Sequence, residues 1–196
     1  MNPYATYDPN SSAYSREISR LKYGRIVLFT DQDFDGVGNI DPLMLNFARL
    51  MFPRLVEQGY FYVFESPKTR LNHRGKIFEL YCDEDLASYI AASGLKNPIV
   101  KYYKGIGSHG YDEIKRMVKR ADKSIIKYMV DADTDNTLEC YYGNDTTPRK
   151  VELRQPLRIT SAEVKLAREK HGAIPISLHI HWDAGQFQRD NIDRKL

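Results

Sequence analysis

An apolar run that stops abruptly in a row of acids constrains this chain more than any other feature. Ile26-Val-Leu-Phe-Thr30 leads straight into Asp31-Gln-Asp33-Phe-Asp35-Gly36. The run is short, β-branched and continuous, which predicts a buried strand of a parallel sheet. The acids then sit at the carboxyl end of that strand, where open α/β sheets place their ligands. On an extended tip alternate residues point the same way, so Asp31, Asp33 and Asp35 can converge on one locus. Carboxylates placed like this repel one another and require a cation. Donors that are all oxygen suit Mg2+ far better than zinc or copper.

Other chemistries use similar spacings. An EF-hand loop also opens Asp-x-Asp-x-Asp-Gly, but it needs a glutamate at its twelfth position, where Pro42 stands, and a helix in front of it. A phosphatase of the haloacid-dehalogenase type carries Asp-x-Asp at a strand end, followed by Thr or Val; here Asp35-Gly36 follows. An acidic turn that merely caps a helix needs a single Asp. A Mg2+ site for phosphodiester chemistry accounts best for the acids in register.

Asp31 to Gly36 resembles the Asp-x-Asp-x-Asp-Gly signature of the TOPRIM domain of type IIA DNA topoisomerases. Lys101-Tyr-Tyr-Lys104-Gly105-Ile106-Gly107-Ser108 is similar to that family's Tyr-Lys-Gly-Leu-Gly-Thr/Ser motif. Asn144-Asp-Thr-Thr-Pro148-Arg149-Lys150 resembles the segment that closes the region. Phe52-Pro53 through Gly59 and Glu65-Ser66-Pro67 match the helix, strand and proline between them, and the likeness covers about residues 20–155. Within the family, the TOPRIM-carrying small subunits of T-even phages and the single-chain enzymes of giant viruses look nearest. There are departures. Phe34 stands where the family usually has His, and the Glu-Gly-x-Ser motif of the general acid/base is not found. Arg74-Gly75-Lys76 mimics the family's Arg-Gly-Lys motif but follows the aspartates and reads as a hairpin turn. The nucleophilic Tyr of the breakage-reunion domain is also absent, although Phe187 to Leu196 resembles the lead-in to that domain.

The resemblance implies an α/β fold, a TOPRIM-type parallel sheet flanked by helices with a mainly helical C-terminal extension. It divides the chain into a polar lead-in (1–22), an incomplete TOPRIM domain (23–155), and a linker with lead-in (156–196). It implies a two-metal Mg2+ site on Asp31, Asp33 and Asp35, completed by a Glu outside this chain. Asp31 would bridge the metal positions, and Asp33 and Asp35 would hold the second ion. Lys104, Arg149 and Lys150 would contact DNA. Double-stranded DNA, the ATPase and breakage-reunion parts, and a dimeric holoenzyme are the implied partners, with the Tyr nucleophile supplied elsewhere. On its own the chain is expected neither to cleave DNA nor to hydrolyse ATP. The rivals are a non-catalytic DNA-binding module and another TOPRIM enzyme, a primase or nuclease.

Composition narrows the setting. Of 196 residues, 42% are apolar and 28% charged, enough for a globular core. No run approaches the length of a membrane span, and Met1-Asn-Pro-Tyr is too polar to open a signal peptide. Cys82 and Cys140 fit no metal pattern and read as reduced thiols. These features point to a cytoplasmic or nuclear protein, cellular or viral, and not a secreted one. The net charge of +3 is mild, but Lys and Arg dominate 101–128 and 149–170.

The pattern predicts a helix over 40–57 with Ile40, Leu43, Leu45, Phe47, Leu50, Met51 and Leu55 inward. It predicts a strand at 60–66, a hairpin at 68–82 with solvated Lys and Arg, and a helix at 83–93 capped by Asp83. A buried strand at Val100–Tyr103 should turn through Gly105-x-Gly107 into a helix near Tyr111. Helices are expected at 134–142, 146–154 and 161–171, and 175–186 alternates like a strand or extended arm, with His179 and His181 on one face. Asp131, Asp133 and Asp135 repeat the acid spacing, but no strand of the right kind leads in, Asn136 replaces Gly and position twelve is Tyr142, so they read as an exposed helix start. Arg149 and Lys150 could equally cap a helix C-terminus.

Overall fold

The computed structural model describes residues 19–96, 98–157 and 159–193. Most of the polar lead-in and the last residues from Arg194 lie outside them. The chain begins with β1 (Ile26–Leu28), a π-helical turn (Gly36–Ile40), α1 (Asp41–Met51), α2 (Pro53–Glu57) and β2 (Phe61–Phe64). A hairpin, β3 (Thr69–His73) and β4 (Lys76–Leu80), follows, then α3 (Asp83–Ser93) and β5 (Val100–Tyr102). A 3-10 turn (Ile106–Ser108) leads to α4 (Tyr111–Lys119), α5 (Ala121–Ser124) and β6 (Ile125–Met129). The chain continues through α6 (Thr134–Tyr142), α7 (Thr147–Arg154), α8 (Ser161–His171), β7 (Ala173–Pro175) and α9 (Ile176–His179). It closes with a π-helical turn (Ile180–Ala184) and α10 (Gly185–Asp193).

The α/β class holds, with helices flanking a sheet of order β1-β2-β6-β7. That sheet is mixed: β1 runs parallel to β2 and β6 to β7, while β2 and β6 are antiparallel. A second, antiparallel sheet has the order β4-β3-β5. Leu28, Val63, Ile126 and Tyr128 of the main sheet pack with Leu45, Ala48, Leu138, Ile176, Ile180 and Ala184 into one core.

Several expectations need correction. β1 is an edge strand, with Leu28 buried and Ile26 exposed. β5 lies at the edge of the second sheet, with Lys101 and Tyr102 exposed. On α1 the buried face is Asp41, Pro42, Leu45 and Ala48, while Leu43, Met44, Phe47 and Leu50 are exposed, as is Ile40 at the end of the π-helical turn before it. Cys82, not Asp83, is the N-cap of α3. The strand that precedes Asp131 is β6, in the middle of the main sheet and antiparallel to β2. Segment 175–186 is helical beyond β7, because Ile176, Ile180 and Ala184 fall at intervals of four and bury together. The Arg74-Gly75 reading as a hairpin turn matches: both residues have positive φ (53° and 73°), as a tight type I′ turn requires.

Two buried carboxylates hold these pieces in register. Asp41 is fully buried and accepts from Thr30 Oγ1 at 3.0 Å. The Tyr128 hydroxyl lies 3.5 Å from its other oxygen and 3.2 Å from His179 Nε2, and His179 Nδ1 lies 2.9 Å from Asp183. Burial raises the Asp41 pKa, against the opposing pull of His179 and Thr30. Glu113 is the second. It accepts from Arg70 Nη1, from Lys101 Nζ at 3.0 Å, from the Tyr103 hydroxyl at 2.8 Å and from Gly110 N at 2.7 Å. Arg70 is therefore paired rather than solvated. Burial alone would raise the Glu113 pKa, but these donors outweigh it and bring it down to about 2.

Replacing Tyr128 by Phe should cost about 1–3 kcal/mol, since Asp41 and His179 lose a buried partner; the urea midpoint reads this. For Glu113 the folded pKa lies below the ordinary glutamate value of 4.5, so its contribution is present above that pH and is lost as pH falls toward about 2. Glu113→Gln should remove about 3 kcal/mol at neutral pH and flatten the acid limb across that window. An acid limb of unchanged slope would count against this anchoring role.

Candidate functional site

The three predicted acids sit on the segment between β1 and the π-helical turn, and all three are exposed. Phe29 packs edge-on against Phe64, at 4.5 Å between ring centroids, and Thr30 is tied to Asp41. These contacts fix the tip from which the acids project. The turn that follows closes so tightly that a Cβ on Gly36 would lie 2.0 Å from the Asp31 carbonyl oxygen. Glycine is needed at Gly36 for that approach.

Each acid is engaged by one oxygen. Asp31 Oδ1 accepts from Ile106 N at 2.6 Å, Asp33 Oδ1 from Gly36 N at 2.8 Å, and Asp35 Oδ1 from Asn39 Nδ2 at 2.9 Å. The second oxygen of each carries no hydrogen bond among the described residues, and none of the three carboxylates forms a salt bridge there. Excess negative charge with free oxygen donors fits a hard divalent cation such as Mg2+. Among the described residues no three Asp, Glu, His or Cys side chains are placed to close a metal site by themselves. The three acids are therefore not gathered into one cluster: Phe34 and Asp35 are already helical, so Asp31, Asp33 and Asp35 do not alternate along an extended tip as expected.

The Lys104 to Ser108 loop comes from the other sheet and meets Asp31 directly. Ser108 Oγ accepts from Lys104 N at 3.0 Å and Gly105 N at 3.1 Å, which folds the loop on itself. The Lys104 side chain is exposed and has no ion pair among the described residues. Beside the loop, Tyr103 stacks on His109 at 3.8 Å, and burial holds the His109 imidazole below its usual pKa against the pull of Glu113.

The other candidates separate. Arg149 donates to the Tyr141 carbonyl at 2.6 Å, so it caps the C-terminal end of α6, while Lys150 is exposed. Asp131 is half-buried rather than exposed. It accepts from Ser177 Oγ at 2.9 Å and from Asp133 N at 3.0 Å, a saturated helix-start carboxylate with a structural role. His179 is buried against Tyr128 and Asp183, and His181 lies 3.5 Å from Thr137 Oγ1, so the two do not share a strand face. Phe34 is exposed, with Lys68 Nζ 6.0 Å from its ring centroid. Sequence reading misses Glu113 as the anchor beneath the loop. Its signal is a glutamate three residues after Gly110, the reach-back position of a helix start.

No family model matches the chain. It is 31% identical over 186 residues to DNA topoisomerase 2 of African swine fever virus (isolate Tick/Malawi/Lil 20-1/1983), a match that covers 92% of this chain and 15% of the viral protein. It is 30% identical over 140 residues to the mitochondrial DNA topoisomerase 2 of Dictyostelium discoideum, covering 69% of this chain and 11% of that protein. The fold matches the DNA-binding, cleavage and re-ligation domain of Plasmodium falciparum topoisomerase II, with a TM-score of 0.78 at 18% identity over 90% of this chain and 24% of that one. The chain thus spans a minor part of each protein it matches. With the acid tip, the apposed loop and these relatives together, the chain belongs, as one region, to the type IIA DNA topoisomerase family.

Proposed function

We propose that this chain supplies the Mg2+-binding TOPRIM region, residues 23–155, of an ATP-dependent type IIA DNA topoisomerase, with 156–196 as linker and lead-in to the breakage-reunion domain. One observation carries the reading: three exposed carboxylates at a strand tip, unpaired with any cation among the described residues, the first of them, Asp31, bonded to the Lys104–Ser108 loop. Asp31, Asp33 and Asp35 would hold the ions, with a Glu from outside this chain completing a two-metal set. When bound there, Mg2+ supplies charge stabilisation at the leaving 3′ oxygen and clamps the phosphate. Double-stranded DNA would lie across the tip, and a Tyr from another part of the enzyme would form and reverse the phosphotyrosyl link.

This chain's own residues have distinct parts. Lys104, held on a folded loop with its ammonium free, would contact phosphate beside the acids. Lys150 would contact the duplex from the start of α7. Arg149 would act there mainly by holding α6 and α7 together. The exposed apolar stripe of α1 (Leu43, Met44, Phe47 and Leu50), with Ile40 just before it, and the edge of β1, open among the described residues, support packing against further parts of a dimeric holoenzyme. Among the described residues no helix is long and apolar enough to cross a membrane. We place the enzyme's work in the cytoplasm or nucleus, on cellular or viral DNA.

In the assembled enzyme, Asp31→Asn should abolish DNA relaxation, a loss larger than the roughly ten- to hundredfold typical of an outer-shell partner. Retained relaxation would leave a non-catalytic DNA-binding module as the better reading. Lys104→Ala and Lys150→Ala should each lower the salt slope of DNA binding by about one. Arg149→Ala should instead lower the melting temperature with little change in that slope. A flat salt response in the parent enzyme would remove the DNA roles of both lysines.

A further inference from the structure

Away from the acid tip and its loop, a partly open cavity of about 150 Å3 lies between α6, α7, the 157–159 segment and the C-terminal helical run. Tyr141, Glu152, Leu157, Ile159, His181 and Arg189 line it. Gly185 leaves room beside it: a Cβ there would lie 2.8 Å from Arg189 Nη1, 3.2 Å from the Tyr141 hydroxyl and 3.4 Å from Leu157 Cδ2. Those three atoms therefore converge. The Tyr141 ring meets His181 edge-on, at 5.6 Å between centroids, and with Leu157 and Ile159 the two rings give the cavity apolar sides.

Its polar groups are only partly used. Tyr141 is fully buried, and among the described residues neither its hydroxyl nor Arg189 Nε and Nη1 has a partner in hydrogen-bond geometry. The third guanidinium nitrogen is engaged: Arg189 Nη2 donates to the Glu152 and Gln155 carbonyls at 3.0 Å each, which pins the side chain at the end of α7. Buried donors without partners are rare in folded proteins and call for an acceptor. Glu152 brings acceptor oxygens to the same cavity, one of them 3.7 Å from His181 Nδ1. Burial and Glu152 push the Tyr141 pKa up to about 12, against the pull of Arg189, so the hydroxyl keeps its proton and stays a donor at neutral pH.

We propose that this cavity is a binding site for a small neutral carboxamide carried on a ring-sized apolar body. The carboxamide oxygen accepts from Arg189 and Tyr141, and its NH2 group donates to Glu152. One guanidinium and one carboxylate balance each other here, so a neutral ligand leaves neither exposed to a like charge. An anion would meet Glu152, and a cation would meet Arg189. The apolar sides suit a ring, and about 150 Å3 is the size at which an engineered apolar cavity takes up benzene. A bound amide would tie α7 to α10, and with them the helices that close the main region to the segment after it.

The test is an NMR titration of the full chain with benzamide, benzoate and benzylammonium, which share one ring and differ in charge. The Arg189 Nε–H resonance and the melting temperature are followed. Benzamide should shift that resonance and bind roughly tenfold tighter than either ion. Tyr141→Phe keeps the ring and breaks no hydrogen bond of the hydroxyl, so the melting temperature without ligand should not fall, while benzamide binding weakens roughly tenfold. Gly185 has helical dihedrals (φ −60°, ψ −43°), so Gly185→Ala keeps the fold, moves the guanidinium end aside and should weaken benzamide similarly. Glu152→Gln should bring benzoate binding up toward that of benzamide. A parent that prefers benzoate or benzylammonium, or that binds all three alike, overturns the carboxamide assignment. Binding of none of them removes the site. Benzamide binding that Tyr141→Phe and Gly185→Ala both leave unchanged puts the ligand elsewhere and overturns the proposal as well.

Discussion

Burying the carboxylate of Asp41 imposes the condition that the rest of the fold meets. A charged group without water is costly unless donors surround it, and its donors here come from distant parts of the chain. Thr30 ends the run that carries the acids, and Tyr128 lies on the central strand β6; the Tyr128 hydroxyl in turn meets His179, which belongs to the C-terminal helices and links on to Asp183. Satisfying Asp41 therefore brings the first strand, the middle of the sheet and the C-terminal extension together. It also sets the position of Thr30, and with it the direction in which Asp31 leaves the strand.

Glu113 does the same for the second sheet, with the opposite electrostatic outcome. Asp41 has weak or distant donors, and burial wins, raising its pKa. Glu113 has two cationic partners, a phenol and a backbone N–H, and these overcome burial to bring it to about 2. The candidate site lies between the two anchors. One fixes the strand tip through Thr30; the other fixes the loop through Lys101, Tyr103 and Gly110. Asp31 and Ile106 meet where these two rigid pieces come together, which is why a loop of small and flexible residues can present a well-placed donor.

Much of this is legible in the sequence because it is local. The strand ending in acids, the Asn72–Gly75 hairpin and the helices at 111, 134, 147 and 161 follow from turn chemistry, caps and periodicity read over a few residues. The misreadings come from tertiary context. Ile-Ser-Leu-His-Ile-His-Trp alternates over a short window, yet Ile176, Ile180 and Ala184 also share a helical face, and packing onto Tyr128 and Leu138 selects the helix. β6 escapes the pattern because Lys127 interrupts a short apolar run. The α1 stripe reads as inward because apolar residues usually are, but its fully buried partner Asp41 turns the opposite face to the core. Arg70 reads as a solvated hairpin charge until α4 brings Glu113 beneath it.

The substitution of Phe34 for the family's usual His sharpens the division of labour at the tip. A phenyl ring can neither ligate a metal nor carry a proton, and Phe34 is exposed, with the Lys68 ammonium near its face. Phe34 therefore contributes neither a ligand nor a proton at this locus. Of the three carboxylates, Asp33 and Asp35 are held by neighbours within their own turn, Gly36 and Asn39, and can move with it. Asp31 alone among them is held by the other sheet. Its geometry cannot drift without disturbing the loop that carries Lys104, so the acid tip and that loop are mechanically one feature of this structure.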